Sequence, residues 1–313
     1  MRIVVTGGAG FIGANVCREL LARPEVSEVI ALDDLSSGSE RNLEGSGAIL
    51  VVGSILDADV LDEVVAGARS VVHLAARPSV PRSIADPMAS HTANATGTLT
   101  VLEAARRAGN VHVAVASSSS VYGANPILPK VESLQPMPRS PYAVSKLATE
   151  SYALAHHHSF GMPVLAFRFF NVFGPLQAAG HAYAAVIPAF LDAAAHDRPI
   201  PVHGDGSQSR DFTYVGTVAA VLAHTAIANV AFPEPVNLAF GSRISLLDVI
   251  DRIEAMLGHP LEREHHPVRA GDVPHSQADS TRLHDLFPAI EAVEFDDGLR
   301  ATIEWFRSEG ATF

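Results

Sequence analysis

Short apolar runs rich in β-branched residues alternate along this chain with longer segments whose apolar residues recur at helical spacing. Arg2–Thr6 (RIVVT), Val29–Leu32, Ile49–Val52, Val71–Leu74 and Val111–Ser117 read as buried strands. Ala14–Arg23 and Thr96–Ala108 read as the helices between them. Strict alternation predicts an α/β fold with right-handed crossovers, a doubly wound parallel sheet and helices on both faces. From about residue 170 Gly and Pro become frequent, as in GPLQAAG, DRPIPVHGDG, FPEP and HHPVRAGDVP. That texture predicts a division into residues 1–170 and a smaller mixed α/β domain over 171–313. The two pack closely, and the chain can cross the boundary more than once. No internal repeat or low-complexity segment interrupts the pattern.

Composition narrows the class. The chain has 313 residues, 48% of them hydrophobic and 18% charged, which suits a globular protein with a large core. Its 22 basic and 34 acidic residues leave a net charge of −12, against non-specific binding to nucleic acid or to an anionic membrane surface. With one cysteine, Cys17, no intrachain disulfide can form, which fits a cytosolic compartment. The start MRIVVTGG carries no basic stretch followed by a long apolar run, so neither a signal peptide nor a membrane span is expected.

The first chemistry stands in TGGAGFIG. Gly7, Gly10 and Gly13 follow the first strand and open the first helix, where backbone N–H groups and the helix N-terminus receive a pyrophosphate. Asp33 ends the second strand, 20 positions past Gly13. A carboxylate there accepts hydrogen bonds from the adenosine ribose hydroxyls and repels a 2′-phosphate, so NAD is expected rather than NADP. A glycine turn alone is a weak signal; strand, turn, helix and acid together predict a Rossmann-type dinucleotide-binding domain over 1–170.

Tyr142 and Lys146 form Y-x-x-x-K in SPYAVSK, a spacing that puts both side chains on one helix face. An adjacent ammonium lowers a phenol's pKa, so the tyrosine is expected to act as a base. At this point the sequence resembles the extended short-chain dehydrogenase/reductase family, in particular its nucleotide-sugar 4-epimerases. The resemblance rests on TGGAGFIG, HLAA (73–76), SSSSVYG (117–123), SPYAVSK, RFFNVFGP (168–175), YAAVIP (183–188), GDGSQSRDF (204–212) and AGDVPHSQAD (270–279). It implies a catalytic set of Ser118, Tyr142 and Lys146. Tyr142 would take the proton of the sugar 4-hydroxyl while hydride passes from C4 to NAD, and the 4-keto sugar would turn over and take it back. The 4,6-dehydratases of the family carry an Asp-Glu pair where this chain has Ser119 and Ser120, which favours epimerisation. A dehydratase or keto-sugar reductase of the same family remains an alternative, as does a non-catalytic NAD-sensing protein, which has no need of the catalytic set.

The resemblance also implies the binding residues. For NAD these are Gly7, Gly10, Phe11, Ile12, Gly13, Asp33, Asp34, Ser36, Ser37, Gly38, Ser54, Ile55, Leu74, Ala75, Ala76, Asn94, Ser117, Tyr142, Lys146 and Phe169. For a UDP-sugar, Asn171, Arg210 and Arg269 would hold the diphosphate, and Ala185, Val186, Pro201, Val202 and His203 the uracil. Asp272, Ser118, Tyr142, Ser276 and Arg82 complete the substrate set. Ser276 is small where glucose/galactose members carry tyrosine, leaving room for an acetamido group. Arg82, in SVPRSIADP, is a candidate partner for a sugar carboxylate. Ala178 stands where some uronic-acid epimerases use arginine, which weakens the case for a uronic acid. Ser54 replaces an adenine-contacting aspartate, Leu176 replaces an arginine, and Pro78 replaces a lysine of glucose/galactose members. A homodimer paired through helices near 96–108 and 142–158 is implied. No metal site is expected. His156, His157 and His158 lie about 100° apart around a helix and cannot converge on one ion. His265 and His266 read as a surface loop, and Cys17 as a packed thiol.

Overall fold

The computed structural model describes residues 1–179, 185–268 and 274–313. The N-terminal half follows the alternation. Strand β1 (Arg2–Thr6) leads through the glycine turn into α1 (Phe11–Leu21), then β2 (Glu28–Asp33), β3 (Ile49–Val52), α2 (Ala58–Val65) and β4 (Ser70–His73). Two short helices, α3 (Val80–Ala85) and α4 (Pro87–His91), each begin with proline in the first turn and a side-chain cap, Ser79 and Asp86. One wide π-turn over Thr92–Thr96 joins α4 to α5 (Gly97–Arg107). Strand β5 (His112–Ser118), α6 (Pro141–Phe160) and β6 (Val164–Phe169) complete this half.

The later elements are shorter: β7 (Asn171–Phe173), α7 (Val186–Ala195), β8 (Ile200–His203), β9 (Ser209–Arg210), β10 (Phe212–Tyr214), α8 (Val215–Ala228), β11 (Val236–Leu238), β12 (Ile244–Ser245), α9 (Leu246–Leu257), β13 (Arg263–His266), α10 (Thr281–Leu286) and α11 (Phe295–Ser308). Among the described residues the main sheet has seven parallel strands in the order β11-β6-β5-β4-β1-β2-β3. The chain therefore returns to this sheet after residue 171: β11 pairs with β6, and α8 packs on α1.

Strand pleating sorts the core into two layers. Ile3, Val5, Leu165 and Phe167 join the cluster under α1 and α8, while Val4, Val113, Val164 and Ala166 join the one under α2, α5 and α6. A third cluster, around Phe190, Ile250 and Ile303, fills the C-terminal lobe. Strand order reverses between β1 and β4, and ligands of such sheets bind beyond the carboxyl ends at that point.

His265 and His266 correct the sequence reading: they lie on β13, paired in parallel with β8, rather than in a loop. Cys17 packs in the core, and burial pushes its thiol up to about 12. On α6, His156 turns inward to Glu103 at 3.0 Å, while His157 bonds the Met162 carbonyl at 3.0 Å and meets His158 edge to face with ring centroids 5.2 Å apart. Among the described residues, no helix is long and apolar enough to cross a membrane.

Candidate active site

A cavity of about 1320 Å³ runs along the carboxyl ends of the central strands. One end is built by the glycine turn. Gly7 has φ +70°, and a Cβ there would stand 2.7 Å from the Ala75 nitrogen; a Cβ on Gly13 would stand 2.1 Å from the Gly7 carbonyl. Any side chain at either position would force β1, β4 and α1 apart. No side chain caps α1, and its first turn holds no acidic residue, so its N-terminus is open to an anion. Gly10, Phe11 and Ile12 line the cavity at this turn.

Asp33 lines it as well, fixed by the Ala9 N–H to one oxygen (3.0 Å) and the Leu35 N–H to the other (2.9 Å). Burial raises its pKa, and those two hydrogen bonds oppose the shift. Asp34, Ser36, Ser37, Ser54 and Ile55 stand in the same wall, with Gly38 packed behind Asp33. Leu74, Ala75, Ala76, Ser117 and Phe169 continue it along the ends of β4, β5 and β6. Asn94 does not reach the wall. It is 1% exposed and gives both ends of its amide to the Arg77 backbone. An uncapped helix, a glycine cradle and a held acid beyond the second strand are the features a dinucleotide with free ribose hydroxyls requires.

Ser118, Tyr142 and Lys146 meet further along the same cavity. Ser118 ends β5, and its hydroxyl accepts from the Ser120 N–H at 3.1 Å. Helix α6 starts with Ser140 capping the Ala143 N–H at 3.1 Å and proline at its first position, which puts Tyr142 and Lys146 one turn apart on the face toward β5. The expectation that Lys146 lowers the Tyr142 pKa is corrected here. Burial raises the Tyr142 phenol, and the hydrogen bond with the Ser118 side chain is what opposes it. Burial also pushes Lys146 down to about 8, and its Nζ donates to the Ala116 carbonyl at 2.8 Å. The ammonium is turned to that backbone acceptor, and burial and Ser118 are the causes that act on the phenol.

Behind this trio runs a buried polar chain; Ser117 is among the residues singled out from sequence, and Glu150, Arg168, Tyr122 and Asn237 are not. Ser117 Oγ donates to Glu150 at 2.9 Å and to the Lys146 carbonyl at 3.3 Å. Arg168 forks onto Glu150 at 2.9 and 2.7 Å and stacks 4.8 Å over the Tyr122 ring, whose hydroxyl donates to Asn237 at 2.6 Å. Glu150 continues the four-residue spacing of Tyr142 and Lys146, the one signal that pointed to it. Deeper still, His73 sits between Thr6 and Thr98, and burial holds it down to about 3, as a neutral ring.

The residues expected to hold the substrate are more dispersed. Arg82, Asn171 and Ala185 line the cavity with the trio. Val186, Pro201, Val202, His203, Arg210 and Ser276 lie outside its walls. On β8 the pleat splits one group: Val202 points into the C-terminal core, which leaves Pro201 and His203 on the other side. Arg210 Nη1 reaches the Ser209 and Pro274 carbonyls at 3.0 and 3.2 Å, and Ser276 is tied by its N–H to the Ser209 carbonyl at 3.0 Å. Arg269 and Asp272 fall outside the described residues.

Comparison with known proteins places the chain in a family. The model of the NAD dependent epimerase/dehydratase family matches residues 3–239. A UDP-glucose 4-epimerase of Mycolicibacterium smegmatis is 36% identical over 99% of both chains. A UDP-N-acetylglucosamine 4-epimerase of Methanobrevibacter ruminantium, solved with UDP-N-acetylmuramic acid, superposes with a TM-score of 0.92 at 35% identity, over 98% of both chains. A dTDP-glucose 4,6-dehydratase of Streptomyces venezuelae, solved with NAD, reaches 0.89 at 31% identity, over 98% of this chain and 97% of that one. The likeness runs the length of the chain, so this protein belongs to the NAD dependent epimerase/dehydratase family.

Proposed function

We propose that the protein is an NAD-dependent 4-epimerase of UDP-hexoses. The observation that carries this reading is the meeting of Ser118, Tyr142 and Lys146 in the cavity that Asp33 and the glycine turn also line, with Ser119 and Ser120 where elimination of water requires carboxylates. NAD, when bound, supplies the acceptor and later the donor of the hydride at C4. Tyr142 takes the proton of the sugar 4-hydroxyl and returns it on the other side of the cycle. Ser118 bonds the same sugar oxygen and steadies the phenolate. Lys146 holds the nicotinamide ribose against the end of β5, and Asp33 holds the adenosine ribose.

The substrate half rests on the residues of 171–313. Asn171, Arg210 and Arg269 hold the diphosphate, and Ala185, Val186 and the Pro201–His203 strand receive uracil, with Val202 contributing backbone only. Asp272 and Ser276 face the sugar, and the small Ser276 favours acetamido sugars over UDP-glucose. Residues 1–170 form the NAD domain, to which α8 and β11 return. We also infer a cytosolic homodimer paired through α5 and α6; the exposed Val144 and Tyr152 of α6 support that pairing.

The test incubates purified protein with UDP-GlcNAc, UDP-glucose and UDP-glucuronic acid without added cofactor and follows the anomeric protons by NMR. A new epimer with no net NADH supports the reading. A product lighter by the mass of water makes the protein a dehydratase and overturns it.

A further inference from the structure

Arg77 has no part in the reading above, yet its mounting is unusually firm. It directly follows the Leu74–Ala76 wall and lines the cavity that holds Tyr142 and Lys146. Its N–H donates to Asn94 Oδ1 at 2.7 Å, and its carbonyl accepts from Asn94 Nδ2 at 3.2 Å. The same Nδ2 donates to Ser145 Oγ at 2.9 Å, one residue before Lys146. Asn94 sits in the π-turn before α5, a local irregularity of the kind that recurs at functional sites. A single buried amide thus ties the Arg77 backbone to the catalytic helix.

The guanidinium is held much less tightly. Its ion-pair partner is Asp86 at 3.6 Å, with the two side chains 38% and 50% exposed. A pair so long and solvent-screened adds little, and the other Asp86 oxygen is already committed to capping the Ala89 N–H at 3.0 Å. Arg82 lines the same cavity, brought there by Ser79, which takes a φ of +96° and caps the Arg82 N–H at 3.3 Å. A non-glycine residue in that conformation costs energy that the surroundings must offset, and such residues cluster where ligands are held. Arg77 thus brings a guanidinium to the wall of a cavity to which Arg82 also contributes.

The remaining question is which anion the Arg77 guanidinium answers. The cofactor diphosphate belongs to the glycine turn, and the substrate diphosphate, in the proposed function on which this step rests, belongs to Arg210 and Asn171. Ala178, which also lines the cavity, carries no charge. What is left is an anion on the hexose itself. We propose that Arg77 is a specificity-determining residue that binds a carboxylate carried by the sugar, so that the enzyme prefers acidic UDP-hexoses to neutral ones. A planar guanidinium suits a carboxylate by paired N–H donors, which glutamine or lysine at the same place does not reproduce.

The experiment compares kcat and KM of the purified holoenzyme on UDP-glucuronic acid, UDP-N-acetylmuramic acid and UDP-glucose, for the parent, Arg77→Gln and Arg77→Lys. The parent should turn over at least one acidic sugar with a higher kcat/KM than UDP-glucose. Arg77→Gln should raise KM for that acid about tenfold or more, as loss of a built polar contact does, and leave UDP-glucose within about twofold. Arg77→Lys should fall between. NAD affinity, read by cofactor fluorescence, should not move. Equal loss on acidic and neutral sugars, weakened NAD binding, or a parent that epimerises only neutral sugars overturns the assignment and leaves the epimerase reading standing. A parent inert on every UDP-sugar overturns that reading itself.

Discussion

Replacing Arg168 with methionine strips the cation from Glu150 while leaving a side chain of similar reach. The two side chains are 3% and 5% exposed and joined through two guanidinium nitrogens and both carboxylate oxygens, at 2.9 and 2.7 Å. Breaking a buried pair by removing one partner costs about 3–5 kcal/mol, because the remaining charge loses its only compensation of that size. Loss of the guanidinium over the Tyr122 ring, 4.8 Å away, adds about 1–2 kcal/mol. Glu150 keeps the Ser117 hydroxyl, which is too weak a partner for a full charge. The Arg168→Met protein should therefore be less stable than the parent by about 4 kcal/mol or more in urea unfolding followed by far-UV circular dichroism. The double variant Glu150→Leu with Arg168→Met removes both charges and should recover most of that loss. Ser117 adjoins Ser118 and holds the Lys146 carbonyl, so the single variant should also lose kcat more than it raises KM. A single variant within about 1 kcal/mol of the parent, or a double variant no better than the single, would refute the view that the pair compensates a buried charge.

Tyr142→Phe should lower kcat by about 10²- to 10⁴-fold, the range of a general base, while NAD affinity stays near the parent's; persistent turnover would mean that another group is the base. Burial holds His73 down to about 3 and His112 down to about 4, both well below the ordinary value of about 6.5. The unfolded chain therefore takes up protons that the folded one refuses. Stability from these two rings is complete above about pH 6.5 and falls as pH drops, by about 1.4 kcal/mol per unit for each. Thermal midpoints between pH 7.5 and 5.5 should decline accordingly, with a slope clearly shallower in His73→Gln; an unchanged slope would mean that His73 is not buried neutral. Ser276→Tyr should cut kcat/KM for UDP-GlcNAc by about tenfold or more and spare UDP-glucose, and equal loss on both would remove the argument from its size.

What could be read from sequence is what local spacing records. The glycine turn, Asp33 and the pair Tyr142–Lys146 each lie within one strand–turn–helix or one helical turn, so residue type and spacing carry the geometry with them. The bracing of the site is written differently. Glu150 and Arg168 are 18 positions apart, Arg77 and Asn94 17, Tyr122 and Asn237 115. No periodicity links such partners; only the order of strands in the sheet brings them together. The same holds for β11, whose three residues are too few to announce a strand and become one because β6 offers an open edge. Val202 is the instructive case within the expected site. Its neighbours Pro201 and His203 share the other side of β8, and the strand's alternation sends it into the core around Phe190 and Ile250. Tyr142 makes the same point for energetics. From spacing, an ammonium four residues away should favour the phenolate, but spacing says nothing of burial, and burial sets the sign. The acidity that Tyr142 needs must then come from what enters the cavity beside it and from Ser118, whose hydroxyl β5 delivers from 24 residues upstream.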